Sequence, residues 1–349
     1  MGPFSGHQIG TLIFGSQSRE AAHQSVIFTI AMKPSIVALC IVSGVGVLSA
    51  QTPVWEPSPG HTQVPIWPGT VPDAQPVPGL EDATTTETES LVAGRPWVWV
   101  TNVSRPTMTV YSPNGNSSGA AIVVFPGGGY IGLAIDLEGT EVCDWLSSRG
   151  ITAVLLKYRV PYSGQYWDNK TKRETEPRAQ TALEDAQRTV GLVRFHAAEW
   201  HIDPNKIGVL GFSAGGYLVA QVSTHFGQRL YPVVDASDKE SCRPDFAAAI
   251  YPGHLSLADD SLGLNPDIDA HITLQTPPTF LVQAEDDHVD RVEDSLSYYA
   301  ALKRVGAPVE MHLYAKGGHA FGLRPTKQAI TLWPRLMETW LVSIGMNSQ

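Results

Sequence analysis

A serine between two glycines is the clearest candidate for chemistry in this sequence: Ser213, in Gly211-Phe212-Ser213-Ala214-Gly215. An apolar run of strand character precedes it, and a run rich in Ala, Val and Leu, of helical character, follows it. A serine on a sharp strand-to-helix turn needs small neighbours on both sides, and the two glycines supply them. The N-terminus of the following helix brings the N–H of Ala214 near the serine oxygen, where negative charge would develop. The pattern predicts that Ser213 is a nucleophile and disfavours a glycine-rich turn with an incidental serine.

A serine nucleophile needs a base, and the base needs a carboxylate that orients it. Where a serine occupies such a turn, the chain order is serine, acid, histidine, each beyond the end of a strand. His319 follows a predicted strand and two glycines, which allow its loop to carry the imidazole over the serine. Three carboxylates follow the preceding predicted strand, and among them we prefer Asp286 over Asp287, with Glu285 third. The remaining acids of this cluster are expected to be solvated.

A glycine run, Gly127-Gly128-Gly129, ends a predicted buried strand upstream of the serine. Glycines permit close approach of the backbone, so we expect the N–H groups of Gly128 or Gly129, together with that of Ala214, to bind the oxyanion of a tetrahedral intermediate. A phosphate-binding loop is excluded, because the lysine followed by serine or threonine that such a loop requires is absent.

Two further residues are candidates for a substrate pocket, Tyr130 after the glycine run and His254 after a predicted strand. The other histidines considered are expected to be structural or at the surface: His225, His271, His288 and His312. No group has convincing metal-ligand spacing, and the cluster Asp286-Asp287-His288 is too compact for a tetrahedral site. We expect neither a metal nor a cofactor.

The elements that must position these residues alternate between short apolar runs and helical stretches from about residue 95, a pattern typical of a mostly parallel sheet covered by helices. Strands are predicted at 120–125, 151–158, 206–210, 246–251, 279–284 and 309–314, and helices at 138–148, 179–200, 214–226 and 292–305, with a final helix to about 342. Residues 161–177 are predicted to be a surface loop and 254–276 to be irregular. The expected architecture is an α/β-hydrolase fold in a single domain, with a central sheet of about eight strands.

The composition fits one large core, with 43% hydrophobic and 17% charged residues in a chain of 349. The formal net charge of −10 argues against a nucleic acid or an anionic membrane as partner. A small ester or a neutral acetylated polymer is the expected substrate. Cys143 and Cys242 are expected to be free buried thiols, although an oxidising compartment would leave pairing open.

The N-terminal region has the pattern of a secretory signal, since Lys33 precedes an uncharged run at 36–50 that ends in the small residue Ala50. Residues 1–50 are interpreted as an upstream extension and signal peptide, with Met32 as the start. Secretion, or export to the periplasm, is expected without stable membrane insertion after signal removal; an uncleaved anchor is the alternative. A proline-rich lead-in is predicted at 51–94 and the hydrolase domain at 95–349.

Several motifs together resemble those of the bacterial acetylxylan-esterase-like α/β-hydrolases, which are related to bifunctional carbohydrate acetyl and feruloyl esterases. They are Ile66-Trp67-Pro68-Gly69, Phe125-Pro126-Gly127-Gly128-Gly129-Tyr130, Asp136-Leu137-Glu138-Gly139, Leu156-Lys157-Tyr158-Arg159-Val160-Pro161, Gly211-Phe212-Ser213-Ala214-Gly215-Gly216-Tyr217 and Lys316-Gly317-Gly318-His319. The resemblance runs from about residue 64 to the end of the chain, and it implies deacetylation of plant polysaccharide such as xylan. Pro126 replaces the histidine of the wider His-Gly-Gly-Gly pattern; that histidine supports the oxyanion loop rather than the chemistry.

The expected function is therefore that of a secreted serine carboxylesterase, in which Ser213 forms an acyl-enzyme. An acylaminoacyl- or dipeptidyl-peptidase-like hydrolase is one alternative. Such enzymes usually carry a large propeller of about 40 residues per blade, whereas only about 45 residues separate the predicted signal from the first core motifs. A non-catalytic carbohydrate-binding protein on a hydrolase scaffold is the other alternative.

Overall fold

The computed structural model describes residues 54–87, 90–161, 167–168, 173–174, 180–257 and 262–347. All of these belong to one unit of the chain, Gln51–Gln349. The predicted signal sequence and most of the predicted surface loop at 161–177 lie outside the described residues. Within the six described ranges, every helix is too short or too polar to cross a membrane.

The described residues form thirteen strands: β1 Gln63–Pro65, β2 Asp82–Thr85, β3 Val98–Thr101, β4 Thr107–Tyr111, β5 Ala121–Phe125, β6 Gly132–Ala134, β7 Thr152–Lys157, β8 Trp167–Asp168, β9 Arg173–Glu174, β10 Ile207–Phe212, β11 Phe246–Ile250, β12 Thr279–Ala284 and β13 Val309–Tyr314. They also form six α-helices: α1 Glu141–Ser148, α2 Gln180–Phe195, α3 Ala214–Thr224, α4 Pro266–His271, α5 Val292–Val305 and α6 Trp333–Ser343. A π-helical turn at Asp136–Thr140 leads into α1.

Eight strands make the main sheet, in the order β1-β4-β7-β5-β10-β11-β12-β13. The six strands from β7 to β13 in this order run parallel. At one edge β4 pairs antiparallel with β7, and β1 pairs antiparallel with β4. The central strands β5 and β10 are buried along their whole length, which explains their uninterrupted apolar sequence, because helices cover both faces of a parallel sheet. The predicted α/β-hydrolase architecture, with a mostly parallel sheet of about eight strands, is confirmed.

Most predicted elements lie where the periodicity placed them, and β12, α5 and β13 have the predicted bounds. The prediction that 254–276 is irregular was wrong, because the short helix α4 lies within it. The side chain of Asn265 caps this helix by accepting a hydrogen bond from the N–H of Asp267 at 3.0 Å, and Pro266 occupies its first turn. One of the prolines that suggested irregular structure, Pro266, therefore lies at the beginning of a helix.

The lead-in contributes to the core of the domain. Its strand β1 pairs with β4 at the sheet edge, a position that proline-rich sequence tolerates. Trp67 is 3% exposed, and its indole N–H donates to Oδ1 of Asp185 at 2.9 Å. The guanidinium of Arg188, also buried, donates from Nε to the carbonyl of Ile66 at 2.9 Å. Two bonds to helix α2 therefore fix the path of the lead-in.

Helix α2 also carries a buried ion pair next to that contact. The carboxylate of Asp185 accepts from Nε of Arg159 at 3.0 Å, and Glu184 accepts from the same guanidinium at 2.9 Å. Arg159 and Asp185 are therefore structural partners, which join the chain after β7 to helix α2. Cys143 and Cys242 are both free and buried, as the sequence predicts.

Candidate active site

Ser213 lies on a strained turn between β10 and α3. Its backbone has φ of +51° and ψ of −119°, in a region that residues with a side chain rarely adopt. The turn persists because the chain on both sides is fixed, and the N–H of Ser213 donates to the carbonyl of Ile250 in the neighbouring strand at 3.0 Å. The residue is 9% exposed, so the hydroxyl lies just beneath the surface at the carboxyl end of the sheet. The predicted strand–turn–helix setting is present.

The glycines on either side of the serine are required by close backbone contacts. A Cβ on Gly211 would lie 2.1 Å from the carbonyl oxygen of Gly215, and a Cβ on Gly215 would lie 2.1 Å from that of Phe125. Both distances are far below any real carbon–oxygen contact. The turn can therefore pack against itself and against β5 only if neither residue has a side chain.

His319 is held by Asp287, not by Asp286. The distance from Nδ1 of His319 to Oδ2 of Asp287 is 2.7 Å, and the Asp287 side chain is fully buried. The preference for Asp286 as the acid partner was therefore wrong, and the second choice takes its place. Glu285, the third choice, is exposed.

A tight turn after β12 explains the correction. The N–H of Asp287 donates to the carbonyl of Ala284 at 3.3 Å, so the chain turns tightly here and the side chains of Asp286 and Asp287 take different directions. Asp286 faces the histidine loop, where its Oδ1 accepts from the N–H groups of Gly317 and Gly318 at 2.8 and 2.9 Å. These backbone hydrogen bonds lower the pKa of Asp286. Asp286 therefore holds the main chain that carries His319, while Asp287 holds its ring.

Several opposing influences act on the proton affinity of His319. Burial lowers its pKa, but the hydrogen bond with Asp287 and the negative charges of Asp290, Asp287 and Glu138 raise it, and the net result lies above the usual value. A neutral imidazole is the form that can take a proton from serine. The rate of any such reaction should therefore increase as the pH rises through the pKa of His319.

The glycine run lies directly against the turn that carries Ser213. A Cβ on Gly127 would lie 2.6 Å from the carbonyl oxygen of Phe212 and 2.9 Å from Cβ of Ser213, so only glycine fits there. Within the described part of the chain, the N–H groups of Gly128 and Gly129 donate no hydrogen bond. With Ala214 as the first residue of α3, three backbone donors are available on this side of the serine. Their role in binding an oxyanion stays a prediction.

Glu138 anchors the glycine run, a role that was not evident from the sequence. It is 2% exposed, its Oε2 accepts from the N–H of Gly127 at 2.8 Å, and its Oε1 accepts from the hydroxyl of Tyr251 at 2.8 Å. Burial raises the pKa of this carboxyl. The same tyrosine hydroxyl accepts from the N–H of Gly322, in the loop that carries His319, at 3.1 Å. One buried carboxylate thus links the glycine run to the histidine loop.

Replacing Glu138 by glutamine should lower kcat/KM for a short-chain ester by about tenfold to a hundredfold, less than the loss of an oxyanion donor itself, because the loop stays but its anchor weakens. The amide keeps the volume of the side chain and replaces one acceptor oxygen by a donor nitrogen. Steady-state kinetics and the thermal unfolding midpoint would measure the effect. Asp144→Asn, which removes an exposed carboxylate from α1, is the control and should change neither quantity. Wild-type kinetics in Glu138→Gln would contradict the anchoring role.

A second acid, Asp290, also lies at Ser213 and was not identified from the sequence. Its Oδ2 accepts a hydrogen bond from Oγ of Ser213 at 2.9 Å. Among the described residues no hydrogen bond joins Ser213 to His319, and the serine hydroxyl is directed to Asp290 instead. The sequence around Asp290 offered little indication of this contact, because an aspartate three residues beyond Asp287 is typical of an exposed loop.

The two predicted pocket residues both lie near Tyr217 on α3. The ring of Tyr130 packs edge-on against that of Tyr217 at 6.5 Å between centroids, and the ring of His254 does so at 5.9 Å. Tyr130 is 2% exposed, and its backbone φ is +55°. His254 is close enough to Asp290 for a positive charge on the imidazole to lower the pKa of that acid. Both therefore pack against α3, the helix that follows Ser213, and contact with substrate stays a prediction.

One group among the described residues has the composition of a metal site: His225, Asp267 and His271. Nε2 of His225 lies 3.2 Å from Oδ2 of Asp267, and the group is partly exposed. His225 follows the last residue of α3, whereas Ser213 precedes the first, so the two ends are about 18 Å apart along the helix axis. A cation held there would lie too far from the serine to take part in its chemistry.

The chain is similar to several known proteins. The model of the prolyl oligopeptidase family matches residues 139–344. An acetylxylan esterase of Xylanibacter ruminicola is 32% identical over 217 residues, which are 59% of this chain and 42% of that protein. The endo-1,4-beta-xylanase B of Butyrivibrio fibrisolvens is 28% identical over 229 residues, 61% of this chain and 34% of its own length. The chain thus spans less than half the length of these curated relatives.

Among solved structures, the acetyl ester-xyloside bifunctional hydrolase of Caldicellulosiruptor lactoaceticus is 31% identical, with a TM-score of 0.63. The match covers 86% of this chain and all of that one. Esterases are among the proteins to which this chain is similar, which is consistent with a serine ester hydrolase. The predicted resemblance to acetylxylan-esterase-like α/β-hydrolases is confirmed. The chain belongs to the prolyl oligopeptidase family.

Proposed function

We propose that the chain is a carbohydrate esterase that removes acetyl groups from plant polysaccharide such as xylan, through an acyl-enzyme on Ser213. The observation that carries this proposal is the similarity to the acetyl ester-xyloside bifunctional hydrolase over that protein's whole chain. The arrangement of Ser213, His319 and Asp287 supports acyl transfer as the reaction class.

In the proposed reaction, the hydroxyl of Ser213 turns from Asp290 to Nε2 of His319. As Oγ bonds to the ester carbonyl carbon, its proton passes to Nε2, and Asp287 stabilises the imidazolium through Nδ1. The carbonyl oxygen becomes negative and accepts hydrogen bonds from the glycine run and Ala214. The imidazolium then gives its proton to the leaving alcohol, and a water activated by His319 releases acetate and restores the serine.

The proposal includes the site of action. We propose that cleavage after Ala50 releases the protein to the outside of the cell or to the periplasm, where polymer-bound esters occur. The net charge of −10 suits a neutral polysaccharide better than an anionic one, because like charges repel. This charge favours acetylated xylan over acidic polymers as substrate.

A peptidase is the second candidate, and the family match favours it. The matched family is named for prolyl oligopeptidase, and that name denotes cleavage of peptide bonds. The two activities need the same nucleophile and differ in the leaving group, an alcohol or an amine. Only substrates that differ in that bond can separate them.

The test is an activity panel on the full-length protein: acetylated xylan, methyl ferulate, short and long p-nitrophenyl esters, and an aminoacyl p-nitroanilide. We expect release of acetate from the xylan, rapid hydrolysis of p-nitrophenyl acetate and little hydrolysis of the anilide. Preferential cleavage of the anilide would favour the peptidase. A fluorophosphonate probe should label Ser213, and a folded protein that takes no label would favour the non-catalytic carbohydrate-binding alternative.

A further inference from the structure

Asp290 is a buried carboxylate that touches the nucleophile, and the arrangement of serine, histidine and acid does not use it. The residue is 5% exposed, and its Oδ2 accepts from Oγ of Ser213 at 2.9 Å. The same oxygen lies 3.7 Å from Nε2 of His319. Nε2 is the nitrogen that takes the serine proton in acyl transfer. Asp290 therefore lies beside both atoms between which that proton moves.

The loop that carries Asp290 is held without help from its carboxylate. The N–H groups of Val289 and Asp290 donate to Oδ1 of Asp287 at 2.9 and 3.0 Å, and the carbonyl of Asp290 accepts from Nε2 of Gln283 at 2.9 Å. A Cβ on Gly253 would lie 2.2 Å from Oδ1 of Asp290, so the neighbouring loop provides the space that this side chain fills. The carboxylate is thus directed at the serine by a backbone that other groups stabilise.

Two consequences follow from this position. A serine hydroxyl has one proton, so a hydroxyl that donates to Asp290 does not at the same moment donate to His319. A negative charge 3.7 Å from Nε2 also favours the imidazolium over the neutral ring. His319 therefore faces a carboxylate at each nitrogen, Asp287 at Nδ1 and Asp290 at Nε2.

We propose that Asp290 is a positioning residue, which holds the hydroxyl of Ser213 in the resting enzyme and stabilises His319 once that ring has taken the serine proton. This inference rests on the proposed acyl transfer at Ser213. The proton passes from Oγ to Nε2 as Oγ bonds to the carbonyl carbon, and Asp290 gains no proton in that step. Its charge balances that of the imidazolium until the leaving alcohol takes the proton.

The other titratable groups around this pair are few and lie on several elements. Asp287, Glu138 and Tyr251 face His319, and His254 and Asp294 face Asp290. Burial raises the pKa of Asp290, and positive charges on His319 and His254 oppose the rise. Of these acids, Asp290 is the one that lies at Nε2 of His319. Removing its charge should therefore have the most direct effect on the proton affinity of that nitrogen.

The test is Asp290→Asn, which keeps the shape and an acceptor oxygen for Ser213 but removes the charge. We expect the pKa of His319, followed by NMR of its imidazole, to fall by about one pH unit relative to wild type. Because the neutral ring then persists to lower pH, the acid limb of kcat/KM for p-nitrophenyl acetate should move to lower pH by the same amount. Glu285→Gln removes an exposed carboxylate from the same loop and should shift neither curve.

Asp290→Ala, a second variant without charge or acceptor, should shift the pKa of His319 in the same direction. An unshifted pKa in either folded variant, with folding checked by its thermal transition, would overturn the inference, because a purely structural side chain has no reason to change it. The imidazole titration does not depend on turnover. A wild type that cleaves no ester would therefore contradict the proposed function, while the shift in His319 would still decide the role of Asp290.

Discussion

Ser213→Ala is expected to lower kcat/KM for p-nitrophenyl acetate by about 10⁴- to 10⁶-fold, the range seen when a serine nucleophile is removed from a complete site. Alanine removes Oγ, so no acyl-enzyme forms. Only the binding of the ester and the backbone donors of the glycine run then remain to accelerate its hydrolysis. The fold should survive, because the turn is held through the backbone of residue 213 and through its glycine neighbours. Stopped-flow and steady-state assays at equal protein concentration would measure the loss.

Ser223→Ala is the matched control. Ser223 lies in α3, it is fully buried, and its hydroxyl has no hydrogen-bond partner among the described residues. Its removal should leave both kinetics and fluorophosphonate labelling at wild-type levels. If Ser213→Ala retained a tenth of the activity or more, the nucleophile would lie elsewhere.

Asp287→Asn is expected to lower kcat by about 10³- to 10⁴-fold with a small change in KM. The asparagine amide cannot hold Nδ1–H of His319 as a carboxylate does, so the ring adopts the wrong tautomer and the imidazolium loses its stabilising charge. The bond that is lost is short, at 2.7 Å, and the Asp287 carboxylate is fully buried, so water screens its charge little. Saturation kinetics on a short-chain ester would separate kcat from KM.

Asp286→Asn is the comparison that tests the corrected assignment. Asp286 uses its side-chain oxygen to accept from two backbone N–H groups, and an amide oxygen accepts equally, so the expected loss is under about tenfold. Asp286→Asn and Asp287→Asn each remove one negative charge, so the two variants are matched in net charge. A large loss in Asp286→Asn with a small one in Asp287→Asn would favour Asp286 as the acid partner of the histidine.

The sequence identified those parts of the site that local geometry demands. A serine on a strand-to-helix turn needs glycines at fixed offsets, and the structure shows the backbone contacts that exclude side chains at both. The position of His319 followed from the order of strands and from the glycines before it. The central strands were equally clear, because a parallel strand covered on both faces is apolar throughout.

The parts of the site that could not be predicted from the sequence depend on the direction in which single side chains point. Asp286 and Asp287 follow the same strand and differ by one residue, and only the turn closed by the carbonyl of Ala284 decides which points inward. Asp290 was missed because no local pattern shows that its loop folds back to Ser213. Glu138 was noticed as part of a motif, but its contact with Gly127 joins segments that periodicity treats separately.

The bonds between the lead-in and helix α2 limit how far this protein can be trimmed by proteases. A chain cut after Trp67 would leave Asp185 without its indole donor and Arg188 without the carbonyl of Ile66, both in a buried setting. Each lost hydrogen bond involves a charged group and costs about 1.5–3 kcal/mol, which is a large share of the stability of an ordinary domain. We therefore expect proteolytic trimming in a protease-rich environment to stop before Trp55, the first buried tryptophan. Trimmed chains would then differ in length only upstream of this residue.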